Sequence, residues 1–580
     1  MDNHISMLRI MKHLLTIVVF VCAATSLWAV PAERTRLKVR LTDGTEVFVT
    51  AHGDEHISWL MADDGTIVIP AEGQEGRFVR SQQRPEELIS LGNERRMVRR
   101  IGSRTNAPLP AQGSPRVPVV LVNFQDSTFS VGKNDEEIRH YYDLYCNGTR
   151  DGNNYQGHGS YGSIRDYFIA QSDSLFQPEF VIIGPVTLDH PEATYGSNSG
   201  NTKDTGFRQF RKEAVEKATE LYTGEWSDFD NLGKGHVDMV FFIFAGCGEN
   251  TALAQTNLIW PKELTDGVTV TLDNGKSLLF ATSACCSENR RKKYANDGVS
   301  VGEAVPDGIG VMCHELSHAL GLPDLYDVNY NYFGMDIWSL MDYGCYVQNG
   351  ARPVAYTSYE REFMGWRATE EISEAGPYVL NPISSKEGIG MKITNPQNPN
   401  EYYLLEARLK KGWDGSLAKY GHGLMVTHVD YSASAWNSNR VNVDGNHQRM
   451  TIVAANNNYQ GTNTDADLNA TWSGNLYPYI YNEGGVEHCN DSLTSTSVPA
   501  ATLFTGGFLP HKLTQISIDE EALQVHFMLD EHLYDAVDQL YNEASRSQQP
   551  TGTFDLSGRP VTAPLNKGFY IINGKKIINQ

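Results

Sequence analysis

The stretch Gly310-Val-Met-Cys-His-Glu-Leu-Ser-His-Ala-Leu-Gly-Leu-Pro-Asp324 restricts what this chain can be more than any other part of it. It contains His-Glu-x-x-His. On a helix, residues four apart share a face, so His314 and His318 aim two imidazoles at one point while Glu315 lies beside them, placed to handle a proton. Val311, Met312, Leu316, Ala319 and Leu320 surround these polar residues, the pattern of a helix packed in a core with one polar edge facing a cleft. Gly321 can adopt positive φ and Pro323 prevents the helix from resuming, so the backbone reverses and Asp324 can return a carboxylate to a metal held by the histidines. Five letters alone recur by chance as a core helix with two satisfied histidines. The extended pattern His-Glu-x-x-His-x-x-Gly-x-x-Asp is far more specific.

Downstream, Trp338-Ser-Leu-Met-Asp-Tyr-Gly344 resembles the Met-turn of the metzincins, a tight turn that sets a methionine, here Met341, beneath a metal site. HELSHALGLPDLYD, MDIWSLMDYG and PVAYTSYEREFMGW together resemble the immune inhibitor A family of secreted bacterial metallopeptidases, which are metzincin-like zinc enzymes. Tyr161-Gly-Ser-Ile-Arg-Asp-Tyr-Phe-Ile-Ala-Gln-Ser172 resembles that family's first catalytic-domain helix. Glu401-Tyr-Tyr-Leu-Leu-Glu406 and Gly423-Leu-Met-Val-Thr-His-Val-Asp430 resemble its trailing β region, so the likeness covers residues 116–530. It implies an α/β metzincin-like catalytic domain, a Zn2+ ion, and protein or peptide substrates. One departure matters: metzincins of the usual pattern take a histidine as third ligand. Here Asp324 stands at that spacing, and some relatives take a carboxylate from the segment before the Met-turn, where this chain has Asp336.

The chemistry expected is metal-assisted hydrolysis of a peptide bond. His314, His318 and Asp324, with Asp336 as the alternative third ligand, hold zinc; Glu315 accepts the water's proton and passes it to the leaving amine. Met341 contributes packing. Tyr343 either hydrogen-bonds a tetrahedral intermediate or is structural. Two other classes compete. A secreted adhesin or glycan-binding protein with an inactive protease-like core would commonly have lost one of His314, Glu315 and His318, and all three are intact. A thermolysin-type peptidase takes its third ligand from a later helix, which the Gly321 turn and Met341 argue against.

The remaining chain fits an exported enzyme of several domains. Its 580 residues exceed one core, and a formal net charge of −22 argues against nucleic acid, which needs clustered positive charge. Arg9, Lys12 and His13 precede the apolar run from Leu14 to Ala24, and Ala29 offers a small residue for cleavage, so residues 1–29 read as a signal peptide too short for a membrane span. Cys22 follows Val-Phe-Val, a poor lipoprotein signal. A secreted or cell-surface location follows. Residues 30–115 read as a small β-rich propeptide, with hairpin turns at Asp43-Gly44 and Asp64-Gly65. The basic run from Asn93 to Arg104, followed by Pro108, Pro110 and Pro115, is either a cleavable linker or a solvated charge run. No cysteine lies between residues 30 and 115, so no propeptide thiolate can block the metal. The seven cysteines beyond Cys22 are an odd set that cannot all pair.

The catalytic domain is expected over residues 116–370. It opens with the apolar strand from Arg116, then a helix capped by Ser163, a strand over 176–186, an amphipathic helix over 204–222 and a buried strand over 237–244. Residues 228–238 carry alternating Asp and Asn around a glycine turn, which reads as a weak candidate Ca2+ loop or as an ordinary polar turn; Leu232 and Met239 stand where oxygen donors would be needed. Residues 371–530 read as a β-rich C-terminal domain. Residues 531–580 resemble the C-terminal tails of proteins exported by Bacteroidetes, a candidate sorting segment.

Overall fold

Described in the computed structural model are residues 27–34, 36–74, 76–96, 107–149, 155, 157–199, 202–252, 257–272, 274–291, 303–458, 468–530, 553–555, 560–561, 568–572 and 575–579. Nearly all of the expected signal peptide and most of the basic run therefore fall outside the described residues. Strand β1 (Leu27–Trp28) comes first, followed by an antiparallel meander of β2 (Arg36–Arg40), β3 (Glu46–Gly53), β4 (Ser58–Ala62), β5 (Ile67–Pro70) and β6 (Phe78–Arg80). Gly44 and Gly65 turn the first and third hairpins with φ of 88° and 80°, a region closed to most side chains. Helix α1 (Pro85–Arg96) follows, so the start of the basic run, Asn93 to Arg96, is the end of a helix and not a linker. Val39, Val49, Ala51 and Leu60 pack with Trp260, while Ile57, Trp59 and Leu88 pack with Tyr326, Val328 and Tyr330. The N-terminal sheet is thereby seated on the loop that follows the His-Glu-x-x-His helix.

The catalytic region builds one large sheet. Its elements are β7 (Arg116–Asn123), α2 (Asp135–Asn147), α3 (Ile164–Gln171), β8 (Glu179–Thr187), α4 (Phe207–Leu221), β9 (Val237–Cys247), β10 (Lys262–Leu264), β11 (Val268–Thr271), β12 (Ser277–Arg291), β13 (Ala304–Pro306) and α5 (Gly310–Ala319). The order across the sheet is β8-β7-β9-β12-β10-β1; β8, β7, β9 and β12 run parallel, β10 runs against them, and β1 runs against β10. Continuous apolar runs make sense in strands covered on both faces. Val117, Val119, Leu121, Met239, Phe241 and Ile243 face the core that contains α5, whereas Val120, Val122, Val240, Phe242 and Phe244 face α4. Ser163 and Asp166 form a reciprocal capping box at the start of α3. The expected strands and helices of this region are present within a few residues of their sequence bounds. Strands β10 to β13 were not foreseen; the long β12 has only a short apolar run, Leu278 to Ala281, before it turns to Ser, Cys, Glu, Asn and Arg.

After α6 (Ser358–Met364) the chain is β-rich, as composition implies. It forms a sheet of β14 (Glu370–Glu371), β16 (Met391–Asn395), β17 (Asn398–Arg408), β18 (Gly423–Asp430) and β19 (Met450–Ile452), with β15 (Gly376–Leu380) pairing elsewhere. This sheet does not pack as a separate unit. Tyr402, Leu404, Met425, Val429, Trp436 and Met450, on one face, share a continuous core with Trp338 and Met341, while Tyr403, Leu405, Leu424 and Val426, on the other, pack with Phe527 and Leu529 in a core drawn from residues 372–529 alone. Beyond 530, residues 531–550 lie outside the described residues, and Thr553–Asp555, Gly568–Ile572 and Lys575–Asn579 form a small antiparallel sheet. All seven described cysteines are unpaired, six of them buried and Cys489 exposed. Among the described residues no helix is long and apolar enough to cross a membrane.

Arg408 ties the two regions together. Fully buried, it bonds Glu406 and Asp414 and donates to the carbonyls of Ala355 (3.0 Å) and Trp338 (3.1 Å). Truncating it leaves two buried carboxylates without their cation. Arg408→Ala is expected to destabilise the protein by about 3–5 kcal/mol, read as a fall in the urea midpoint, whereas the exposed Lys410→Ala should stay within about 0.5 kcal/mol of wild type.

Candidate metal centre and active-site cleft

Helix α5 starts where Gly310 presses against the turn of residues 343–346; a Cβ at Gly310 would lie 1.9 Å from the Cys345 carbonyl oxygen. Every residue of the helix is buried. It ends as its sequence implies: Gly321 takes φ of 102°, and the Leu322 N–H donates back to the Ser317 carbonyl at 3.2 Å. The chain then doubles back and delivers Asp324.

Three side chains converge. The Nε2 atoms of His314 and His318 are 3.0 Å apart, and Asp324 Oδ1 is 3.2 Å from each. His314 Nδ1 faces the Leu340 carbonyl at 2.8 Å and His318 Nδ1 faces the Leu322 carbonyl at 2.8 Å. Both carbonyls are acceptors, so both Nδ1 atoms carry the proton and both Nε2 lone pairs point inward. Bonds of about 2.0–2.2 Å in a tetrahedral site put neighbouring ligand atoms about 3.3 Å apart, which is close to the triangle seen here. The trio is the one group of this kind among the described residues. Burial alone would raise the Asp324 carboxyl, but the imidazoles of His318 and His314 draw it well below the usual carboxylate range. The residues present therefore fit a divalent cation.

Asn439 completes the arrangement and could not be found from sequence. Its Nδ2 donates to Asp324 Oδ2 at 2.6 Å and its Oδ1 accepts the Asp324 N–H at 2.8 Å. It comes from the β-rich region, 115 residues downstream. Met341 is fully buried, and its carbonyl accepts the Leu325 N–H at 2.8 Å, fastening the Met341 turn to the loop after α5. Asp336 is not part of the trio: its Oδ2 accepts from Arg34 at 2.8 Å. The Tyr343 ring lies under the Arg34 guanidinium, 3.7 Å from its carbon. The candidate calcium loop is a polar turn. Asp228 pairs with Arg116, Asp230 accepts the N–H groups of Lys234 and Gly235 at 2.7 and 2.8 Å, and Asp238 accepts that of Leu232 at 3.0 Å.

The cleft is filled by the chain's own residues 27–34, which sequence reasoning divided between a signal peptide and the start of a β module. β1 extends the sheet at β10, and the following carbonyls are taken one by one: Ala29 by Tyr326 Oη (3.0 Å), Val30 by Trp260 Nε1 (3.0 Å) and Pro31 by Tyr346 Oη (2.8 Å). Ala32 and Glu33 donate their N–H groups to Gly53 (2.7 Å) and Asn250 (2.9 Å), and Glu33 pairs with Arg290. The Val30 N–H donates to Glu315 Oε1 at 3.0 Å, and Oε2 has no partner. Burial pushes the Glu315 carboxyl well above the ordinary range, with Asp324, Glu55 and Glu263 adding to the rise and the Val30 bond opposing it.

A buried His-His-Asp trio with an adjacent carboxylate, set on one helix and the turn after it, is an arrangement of the kind that metallopeptidase sites use. The family described as immune inhibitor A peptidase M6, catalytic domain, matches residues 114–369, so that part of the chain is similar to it. Two relatives illustrate the distance. The pre-pro-metalloprotease PrtV of Vibrio cholerae is 24% identical over 267 residues, covering 40% of this chain and 28% of the relative. Immune inhibitor A of Bacillus thuringiensis subsp. alesti is 26% identical over 224 residues, covering 35% of this chain and 31% of the relative. The matched part thus spans less than a third of either relative.

Proposed function

We propose that this protein is an exported zinc endopeptidase that cleaves protein or peptide substrates, and that residues 30–115 act as a propeptide. The observation that carries the reading is the trio of His314 Nε2, His318 Nε2 and Asp324 Oδ1 with Glu315 beside it. His314, His318 and Asp324 would hold a zinc ion, which would supply Lewis acidity towards water and the scissile carbonyl. Glu315 takes a proton from the attacking water and hands it to the leaving amine. Its position supports that role, because Glu315 Oε1 already holds a peptide N–H, that of Val30, where a leaving amine would be. Tyr326, Trp260 and Tyr346 hold consecutive carbonyls of the strand in the cleft and would orient a substrate strand in the same way. The Met341 turn supports a metzincin-like site, since its residue 340 carbonyl orients His314. The Vibrio relative is named a pre-pro-metalloprotease, and the cleft filled by residues 27–34 supports a like organisation here. The inactive-core alternative is not favoured.

Glu315→Gln is expected to keep its metal and its fold while losing most activity on an unfolded protein substrate, on the order of 10²-fold or more. Loss of metal together with activity would make Glu315 structural. Asp324→Ala should lose zinc on dialysis against a mild chelator, as measured by metal content. Asp336→Ala should retain it; the reverse outcome would move the third ligand to Asp336. For the propeptide, limited proteolysis within residues 97–106 of the full-length protein should raise activity. An unprocessed chain that is already as active as the nicked one would make residues 30–115 an accessory domain.

A further inference from the structure

Arg34 ends the segment in the cleft, and its guanidinium is held by Asp336, Tyr343 and Phe333, residues that follow α5. Nη1 donates to Asp336 Oδ2 at 2.8 Å, the Tyr343 ring lies 3.7 Å from the guanidinium carbon, and the Phe333 ring lies 4.8 Å from it. The Arg34 side chain is 9% exposed and that of Asp336 is 1% exposed. Asp336 is held in place by its own backbone. It adopts φ of 49°, and its N–H, with that of Met335, is fixed by Asp342 Oδ2 at 2.7 and 2.8 Å. Asp342 Oδ1 in turn holds the Tyr343 N–H at 2.8 Å, so carboxylate and ring are set by one brace. Asp336 Oδ1 has no partner. Departure of the N-terminal region would leave a buried carboxylate and two aromatic faces without their cation, an unfavourable state that another cation would relieve.

We propose that this pocket is a substrate subsite selecting arginine, and lysine less well, on the carboxyl-terminal side of the scissile bond, with Asp336 as the specificity-determining residue. The proposal rests on the peptidase reading above. The path of residues 27–34 supports its register: the strand runs antiparallel to the sheet edge at β10 and gives a peptide N–H to Glu315 at Val30. With Val30 in the place of the first residue beyond the bond, Arg34 is the fifth. Arginine is preferred because a planar guanidinium can lie on the Tyr343 ring while donating to Asp336 Oδ2, as Arg34 does, and an ammonium cannot stack in this way.

The test uses full-length protein activated by limited proteolysis within residues 97–106. A synthetic peptide of residues 27–34 and its Arg34→Ala version are compared as inhibitors of the wild-type enzyme, which requires no enzyme variant to fold. The alanine peptide should inhibit at least about tenfold more weakly. Against Asp336→Asn enzyme the two peptides should be equal. Cleavage sites mapped by mass spectrometry on a denatured protein should show arginine enriched at the fifth residue beyond the cut for wild type, and the enrichment should vanish in Asp336→Asn. Equal inhibition of the wild type by both peptides, or cleavage without positional enrichment, overturns the subsite while leaving the peptidase intact. No cleavage by activated wild type overturns both.

Discussion

Two imidazole lone pairs and one carboxylate oxygen meet within 3.2 Å in a space closed to water, and a cation is what makes such a meeting favourable. Much of the surrounding structure can be understood as what holds those three atoms in place. The carbonyls of Leu340 and Leu322 fix the imidazole tautomers. Asn439 grips both the side chain and the backbone of Asp324. Ser339 and Asp342 brace the turn that carries Leu340, through bonds to Glu360 (2.6 Å) and to the backbone of residues 335 and 336.

The dependence on Asn439 explains why the β-rich region shares a core with the catalytic sheet. Asn442 reaches the same loop, donating to the Leu325 carbonyl at 2.7 Å, and Trp338 donates to Asn475 at 3.1 Å. A region that reads in sequence as a separate domain is, in its first half, part of the wall around the His-His-Asp trio. The N-terminal sheet relates to the centre differently. It buries Trp260 and Tyr326, the same side chains whose polar atoms hold the strand in the cleft, so sheet and strand are seated on shared contacts.

What could be read from sequence was local. His314, Glu315 and His318 were legible because a helix brings residues four apart onto one face, and the turn at Gly321 because only a residue without Cβ takes φ of 102° comfortably. Buried parallel strands announced themselves as runs of Val, Ile and Phe. Long-range matters were hidden. Sequence offered Asp324 and Asp336 as carboxylates of similar reach, and what separates them is that Asp336 is taken by Arg34, 302 residues away, while Asp324 meets the two imidazoles. Asn439 had no motif, β12 had only a short apolar run at its start, and residues 27–34 had a composition that fits the end of a leader equally well. Each of these is set by tertiary pairing, which leaves no periodic trace.

The central claim is that His314, His318 and Asp324 form one zinc site. The most direct measurement is anomalous diffraction at the zinc edge from crystals of the full-length protein. The account predicts a single strong peak about 2.0–2.2 Å from His314 Nε2, His318 Nε2 and an Asp324 carboxylate oxygen, with Asp336 on Arg34. A peak coordinated by Asp336 with Asp324 displaced, or no peak between the two histidines, would contradict it.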